Sequence, residues 1–359
     1  MDINSIFKDR RRRNLASLIA AAAVIVAVAA LALSHQAAML APKKSDQIFF
    51  PGLASKVRDV AQIHIVSKKG AFDVTFRPER GWVLPDKGDY PADFNQVRMT
   101  IIGMEALETL EKKTARAEWL HYVGLDAPPK GDGVEIVLKN EDGKVLAALI
   151  AGKGEDIGDE TGAMGLYVRK PDSDQSWLVR SVFQPKADPA DWMDKDIVDV
   201  DTARIQETDV DPADGPSYEV ARDKPSDPDF ALSPIPKGRE VGFPTGPDGI
   251  AGALSSFSFD DAAPARDFDF SGATRVVTRT FDGLVVSVRV IKQGEDFWAT
   301  VSAEAVPGKE DAAAEARKID AKADGWAYKL PAYKGQQFMT SLESLLKPLA
   351  VKAKGKSAK

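Results

Sequence analysis

The sequence predicts an α+β protein: a single N-terminal transmembrane helix, then a periplasmic region of two related modules of antiparallel strands with packed helices. Three observations point there. Residues 15–33 run for 19 positions without a charge. Beyond them, short stretches alternate apolar and polar side chains with the period of half-buried strands. The order of those stretches then returns about 140 residues later, as the 140-residue spacing of Asp142-Gly143 and Asp282-Gly283 illustrates.

As a helix rising 1.5 Å per residue, the uncharged run reaches ~28 Å, close to the ~30 Å hydrocarbon core of a bilayer. Ala30-Leu31-Ala32 resembles a signal-peptide cleavage site but sits inside the run. A cleavable signal has an apolar region of only about 7 to 15 residues, so length favours a retained anchor. Lys8 and Arg10 to Arg13 against Asp2 and Asp9 give residues 1–14 a net charge of +3, and no Lys or Arg follows the run before Lys43. Basic residues flanking a first span stay inside. Residues 1–14 therefore read as a cytoplasmic stub, 15–33 as an inner-membrane anchor and the remainder as periplasmic. The arginine cluster also fits a folded-protein export address, which is not an anchor.

The whole chain carries −6, which leaves −9 for everything after the stub. Such a surface argues against nucleic acid, whose binding rests on neutralising phosphates with Lys and Arg. There is no cysteine. That excludes disulfides, thiolate metal sites and a cysteine nucleophile.

Residues 34–59 read as a tether into the fold. The first α+β module spans 60–200. In it, 62–66 and 71–77 alternate, with Phe72, Val74 and Phe76 on one face and Lys69-Gly70 at the turn. Pro91 is expected to open a helix whose stripe is Phe94, Val97, Ile101, Met104 and Leu107. Val134, Ile136 and Leu138 then lead through Asp142-Gly143 into Val145, Ala147 and Leu149, a hairpin with an Asp-Gly turn. Trp177-Leu178-Val179 closes the module, and residues 191–196 begin a joining helix or turn.

The second α+β module spans 201–305. Strands are expected around Ile205, at 218–220 and at 230–232, with a helix at 250–257 and a hairpin of 275–280 with 284–291 around Asp282-Gly283. Residues 306–350 hold C-terminal helices and a closing strand. Within them, 310–322 reads as a solvated helix with little apolar face, while Phe338, Leu342, Leu345 and Leu349 mark one amphipathic helix. Residues 351–359 form a basic tail.

Candidate chemistry is sparse. The histidines are His35, His64 and His121. These make a three-histidine zinc site hard to build, and neither an H-E-x-x-H nor a G-x-S-x-G motif occurs. His121 reads as a partly buried ring at a helix end. Gly152-Lys153-Gly154-Glu155-Asp156-Ile157-Gly158 superficially suggests a phosphate loop, but its lysine lies between the first two glycines and the acids that follow repel phosphate. A hairpin or loop fits better. The stretch from Asp209 to Gly215 resembles a calcium loop at Asp209 and Asp211, positions 1 and 3, yet Ala213, Asp214 and Val220 fill positions 5, 6 and 12, where a ligand, a glycine and a glutamate are required.

Asp188, Asp191, Asp194, Asp196, Asp199 and Asp201 suit a solvated, helix-capping face better than a cation site. Glu105 and Glu108 are expected on the outer face of one helix, not in a glycosidase cleft. Trp82, Trp177, Trp192 and Trp326 are core candidates, with an exposed pair able to grip a sugar or peptide.

Several segments together resemble a bacterial domain-of-unknown-function family encoded beside gliding-motility-type ABC transporter auxiliary proteins. They are the anchor, Gly81-Trp82-Val83-Leu84, Ala92-Asp93-Phe94-Asn95, Tyr122-Val123-Gly124-Leu125, Leu166-Tyr167-Val168-Arg169, Trp177-Leu178-Val179, Asp191-Trp192-Met193-Asp194 and Gly325-Trp326-Ala327-Tyr328-Lys329-Leu330-Pro331. The likeness covers roughly residues 45–348 and is more divergent in the second half. It implies a membrane-anchored outer domain working with an ABC transporter, and it carries no catalytic residue. The expectation is a non-enzymatic periplasmic accessory component whose partners are ABC permease or auxiliary subunits and the inner membrane. The alternative is a free-standing binding module for envelope glycan, lipid or peptide. No catalytic, cofactor-binding or metal-binding residue is assigned.

Overall fold

The computed structural model describes residues 47–348. The stub, the anchor at 15–33, residues 34–46 of the tether, Leu349 of the expected C-terminal helix with its neighbour Ala350, and the basic tail lie outside the described residues. Among the described residues, no helix is long and apolar enough to cross a membrane.

The described chain is α+β, mostly antiparallel sheet with several helices. β1 (Gln47–Ile48) precedes a 3-10 turn at Ala54–Asp59, and then β2 (Gln62–Ser67) and β3 (Gly70–Arg77) form a hairpin. Ser67 pairs with Gly70, so the turn sits on Lys68-Lys69, one residue before the expected place. β4 (Gly81–Leu84) and β5 (Tyr90–Pro91) follow, and then α1 (Phe94–Glu105). Pro91 does not open this helix. It pairs with Val83 in the sheet, and Asp93 takes the capping place, its Oδ1 accepting from the amides of Asn95 at 2.8 Å and Gln96 at 3.4 Å. A carboxylate at that position satisfies helix amides that otherwise lack partners.

The stripe Val97, Ile101 and Met104 is buried, whereas Phe94 is exposed. At Gly103 the helix passes so close to Phe183 that an added Cβ would sit 2.4 Å from the ring.

β6 (Glu108–Lys112), β7 (Val134–Lys139), β8 (Val145–Glu155), β9 (Met164–Arg169) and β10 (Ser176–Ser181) complete the first half. Glu108 thus lies in a strand and not on the helix with Glu105. The β7–β8 turn works as its sequence demands. Gly143 takes φ +77°, and the Asn140 side chain accepts from the Lys144 amide at 2.8 Å.

The second half holds β11 (Ile205–Asp211), β12 (Tyr218–Ala221), β13 (Ala231–Ser233), α2 (Gly246–Ala251), β14 (Asp261–Pro264), β15 (Thr274–Thr280), β16 (Leu284–Gln293), β17 (Asp296–Ala305), α3 (Glu310–Ala323), β18 (Trp326–Leu330), α4 (Ala332–Phe338) and α5 (Leu342–Leu345). Three expectations are corrected here. The helix foreseen at 250–257 starts and ends earlier. α3 is not solvated all round: Ala312, Ala316, Ile319 and Ala323 recur by threes and fours, and these small, weakly apolar side chains form its buried face. The single C-terminal helix is two short ones, because Met339-Thr340 breaks the turn and Ser341 caps α5.

Two sheets result. The ten-stranded one runs β1-β6-β10-β9-β8-β7-β2-β3-β4-β5, and the eight-stranded one runs β13-β12-β11-β15-β16-β17-β18-β14. Without its edge strands β1 and β5, the first has the order β6-β10-β9-β8-β7-β2-β3-β4. Read from its other end, the second has β14-β18-β17-β16-β15-β11-β12-β13. Matching strands by position along the chain makes the two orders the same. The two Asp-Gly turns fall on equivalent hairpins, β7–β8 and β15–β16. One buried apolar cluster runs through both sheets, from Phe49 to Leu346.

Candidate functional site

Two stretches about 100 residues apart, 90–95 and 191–196, meet where the sheets join. Ala92 and Met193 form an isolated antiparallel bridge, the Asp93 amide donates to the Trp192 carbonyl at 2.8 Å, and the Asp194 amide to the Pro91 carbonyl at 3.0 Å. The Tyr90 hydroxyl donates to the Asp194 carbonyl at 2.8 Å. Trp192 is fully buried, and its indole N–H donates to the Lys186 carbonyl at 3.1 Å. Burial raises the Tyr90 phenol far above its ordinary value, with the neighbouring Tyr328 adding to the effect.

Tyr90 also reaches the second sheet. Its ring meets Trp326 edge-on with centroids 4.8 Å apart, and lies 6.1 Å from Phe259. Lys87 Nζ and Asp261 Oδ2 approach to 2.6 Å across the same junction, and Lys322 Nζ lies 3.0 Å from Asp196 Oδ2 and 3.4 Å from Asp194 Oδ2. Burial works against the charge on Lys322, but the bond to Asp196 and the attraction of Asp194 hold its value above the ordinary one. Outside this seam is an open cleft of about 530 Å³. The polar groups here are largely engaged with one another, which makes the seam a joint.

Across Phe94 from that cleft lies a second concavity, an apolar groove of about 320 Å³ between α1, the edge of β3–β4 and the 3-10 turn at Ala54–Asp59. Phe94 lines both. Phe76 stands edge-on to Trp82 with centroids 5.8 Å apart. Phe94, Ile102 and Phe76 are 62 %, 44 % and 42 % exposed. The charged residues lining the groove are Arg58 and Arg98. The α1 periodicity is legible in sequence. That Phe94 and Ile102 fall beside the covered stripe and stay bare is not, since it depends on how far the neighbouring elements reach.

The remaining sequence candidates take structural places. His64 Nδ1 lies 2.7 Å from Asp73 Oδ1 in a cross-strand pair, and the His121 ring stacks on Tyr122 at 3.9 Å. His35 lies outside the described residues. Among the described residues, no group of three potential metal ligands gathers. The Gly152–Gly158 stretch is the end of β8 followed by a loop, where Lys153 Nζ donates to the Tyr122 carbonyl at 2.9 Å. Asp209 pairs with Arg279.

Of the acidic run, Asp188 accepts from Lys69 at 2.8 Å and from the Ala190 amide at 3.1 Å, which holds its carboxyl below the ordinary value. Asp194, Asp199 and Asp201 accept from the amides of Asp196, Ser256 and Ala203. Trp82 and Trp177 are half-buried, and Trp326 packs at the joint.

The quoted family segments also meet as a framework. Trp177, Leu178 and Val179 pair with Val168, Tyr167 and Leu166. Arg169, buried, donates to the Leu125 carbonyl at 2.8 Å and to the carbonyls of Lys170, Pro171 and Ser173, so it staples the 122–125 segment to the β9–β10 turn. These residues build the fold. No curated protein and no solved structure matches the chain. The family described as "Domain of unknown function (DUF4340)" does match, from Trp82 to Asp248. The match takes in the segments from Trp82 to Asp194 and runs on past β13 into α2, bridging the joint. Residues 82–248 are thus a DUF4340 domain, a domain of unknown function.

Proposed function

We propose that this chain is a non-enzymatic, membrane-anchored periplasmic accessory component of an ABC-type transport system, acting through protein–protein or envelope-component binding. The observation that carries this reading is the doubled framework. Two sheets of one strand order share a single core, a build suited to holding partners in a fixed relation. The uncharged run at 15–33 behind its +3 stub supports inner-membrane anchorage with the folded mass outside. One transmembrane helix cannot enclose a pathway by itself, so a role in transport requires a partner permease. The gene-neighbour resemblance supports permease or auxiliary subunits as that partner.

The test is capture of the full chain in mild detergent through a tag after Lys359. Co-purification of ABC permease or auxiliary subunits supports the reading, and a clean monomer contradicts it. A second reading, a free-standing module for envelope glycan, lipid or peptide, draws on one observation. Trp119 and Tyr122 are exposed on the 3-10 segment Ala117–Val123, with the Arg116 guanidinium 4.7 Å from the Trp119 ring centroid. Such faces suit stacking on sugars, and glycan retained by the monomer would favour this alternative.

A further inference from the structure

The apolar groove has an orientation relative to the N-terminal segment. The described chain enters at Gln47, where β1 pairs with β6, and the 3-10 turn that follows at Ala54–Asp59 supplies Arg58 to the groove wall. Thirteen residues, 34–46, separate this entry from the uncharged run. Even fully extended they span at most ~45 Å. A domain so tethered stays within reach of the bilayer surface, and the groove can rest there because α1 ends at Glu105, three residues before Glu108, the partner of Ile48 in β1.

The chemistry of the groove suits that surface. Contiguous exposed apolar patches commonly mark protein- or membrane-contact sites. Here Phe94, Phe76 and Ile102 stand exposed around a half-buried Trp82. Arg58 and Arg98 have no carboxylate partner among the described residues, unlike Arg204 and Arg279, each of which is paired with two acids. Two unpaired arginines on the rim of an apolar face, on a region of net charge −9, form a local exception to the overall charge. Apolar rings at the acyl boundary with guanidinium groups reaching the phosphates is the arrangement of an interfacial membrane contact.

We propose that this groove docks on the anionic phospholipid surface of the bilayer that holds residues 15–33, with Phe94, Phe76 and Ile102 among the outermost acyl segments and Arg58 and Arg98 against headgroup phosphates. The contact rests on the anchored reading above, and it fixes which face of the domain turns down. The outer face of the second sheet is left for protein partners.

The chain has no cysteine, so a single introduced one can carry an environment-sensitive dye without further change. Met99→Cys places the dye on the exposed face of α1 without altering a groove-lining residue. Asp142→Cys places it on the exposed β7–β8 turn as reference. The full chain is reconstituted into vesicles of mixed anionic and zwitterionic phospholipid; the dye is read at neutral pH on unwashed vesicles, and a separate aliquot is washed with alkaline carbonate to test retention alone.

The expected result is blue-shifted emission at Met99→Cys, quenched by lipids brominated on their acyl chains, with neither effect at Asp142→Cys. Both effects should fall when the lipid is purely zwitterionic, and should be lost on adding Phe94→Asp and Ile102→Asp. Retention of the washed aliquot together with a water-like, unquenched dye at neutral pH overturns this contact and leaves the anchor standing. Release by the wash overturns the anchored reading and this contact with it. A shielded dye that bromolipids do not quench, and that reverts as protein density in the vesicles falls, overturns it in favour of a second copy of the chain.

Discussion

The hydroxyl of Tyr90 donates to the backbone oxygen of Asp194 at 2.8 Å, and this bond fastens the end of β5 to the segment that leads out of the first sheet. Because the same ring meets Trp326 of β18, one residue ties together both halves of the polypeptide. Tyr90→Phe keeps the ring and removes the donor, leaving a buried carbonyl short of a partner. A loss of about 1–3 kcal/mol in chemical denaturation is expected. A change within error would mean that the joint does not depend on this bond.

Trp192 fills the space beneath the same seam, with its indole N–H engaged by Lys186. Trp192→Ala empties a fully buried site and should cost about 3–5 kcal/mol. Calorimetry should show one transition lowered as a whole, since the apolar cluster is continuous across both sheets. Two separated transitions would contradict a shared core.

The equivalence of the two hairpins has its own test. Gly143 has φ +77° and Gly283 has φ +96°, a region that costs an L residue about 1–2 kcal/mol, more with a branched Cβ. At Gly143 an added Cβ meets nothing within 4 Å, while at Gly283 it would press on the flexible Lys309 side chain at 2.7 Å. Gly143→Val and Gly283→Val should therefore each lower the melting temperature, the second somewhat more. Indifference at either position would count against equivalent turns.

Much of this framework is legible in the sequence where one face is apolar and the other polar. The alternation of Phe72 and Val74, the Asp-Gly turns and the α1 stripe all declare themselves. What escapes is physically specific. β6 reads Glu-Thr-Leu-Glu-Lys, because within it only Thr109 and Leu110 offer anything to bury and the rest is charged. The strand at 90–91 is hidden by a proline that also suits a first helical turn, until Asp93 is seen to take the cap. The buried face of α3 is mostly alanine, which carries little apolar signal although it allows close approach to β17. The groove is illegible for another reason: sequence shows that Phe94 and Ile102 are apolar, not that the described residues leave them exposed.

Alkaline pH should weaken the fold. Burial raises the phenols of Tyr90, Tyr218 and Tyr328 above their ordinary range, so the unfolded chain ionises near pH 10 while the folded one stays protonated. The unfolded state then binds fewer protons, and stability present below pH 10 is lost as pH rises, by up to about 1.4 kcal/mol per pH unit for each phenol. Lys334, whose ammonium burial lowers from its ordinary value, acts in the opposite direction but equally in all variants. Urea denaturation between pH 8 and 11 should show a falling curve, and Tyr90→Phe should flatten it. Parallel curves for the two proteins would contradict this role for Tyr90.

Residues 15–33 are proposed to stay in the inner membrane with the two-sheet mass outside. Labelling with a membrane-impermeant maleimide in spheroplasts addresses it most directly, because the chain supplies no thiol of its own. Asp142→Cys in the exposed β7–β8 turn should react in intact spheroplasts and remain with the membrane fraction, whereas Lys8→Cys should react only after lysis. Reaction of Asp142→Cys only after lysis, or its recovery in the soluble fraction, would contradict the account.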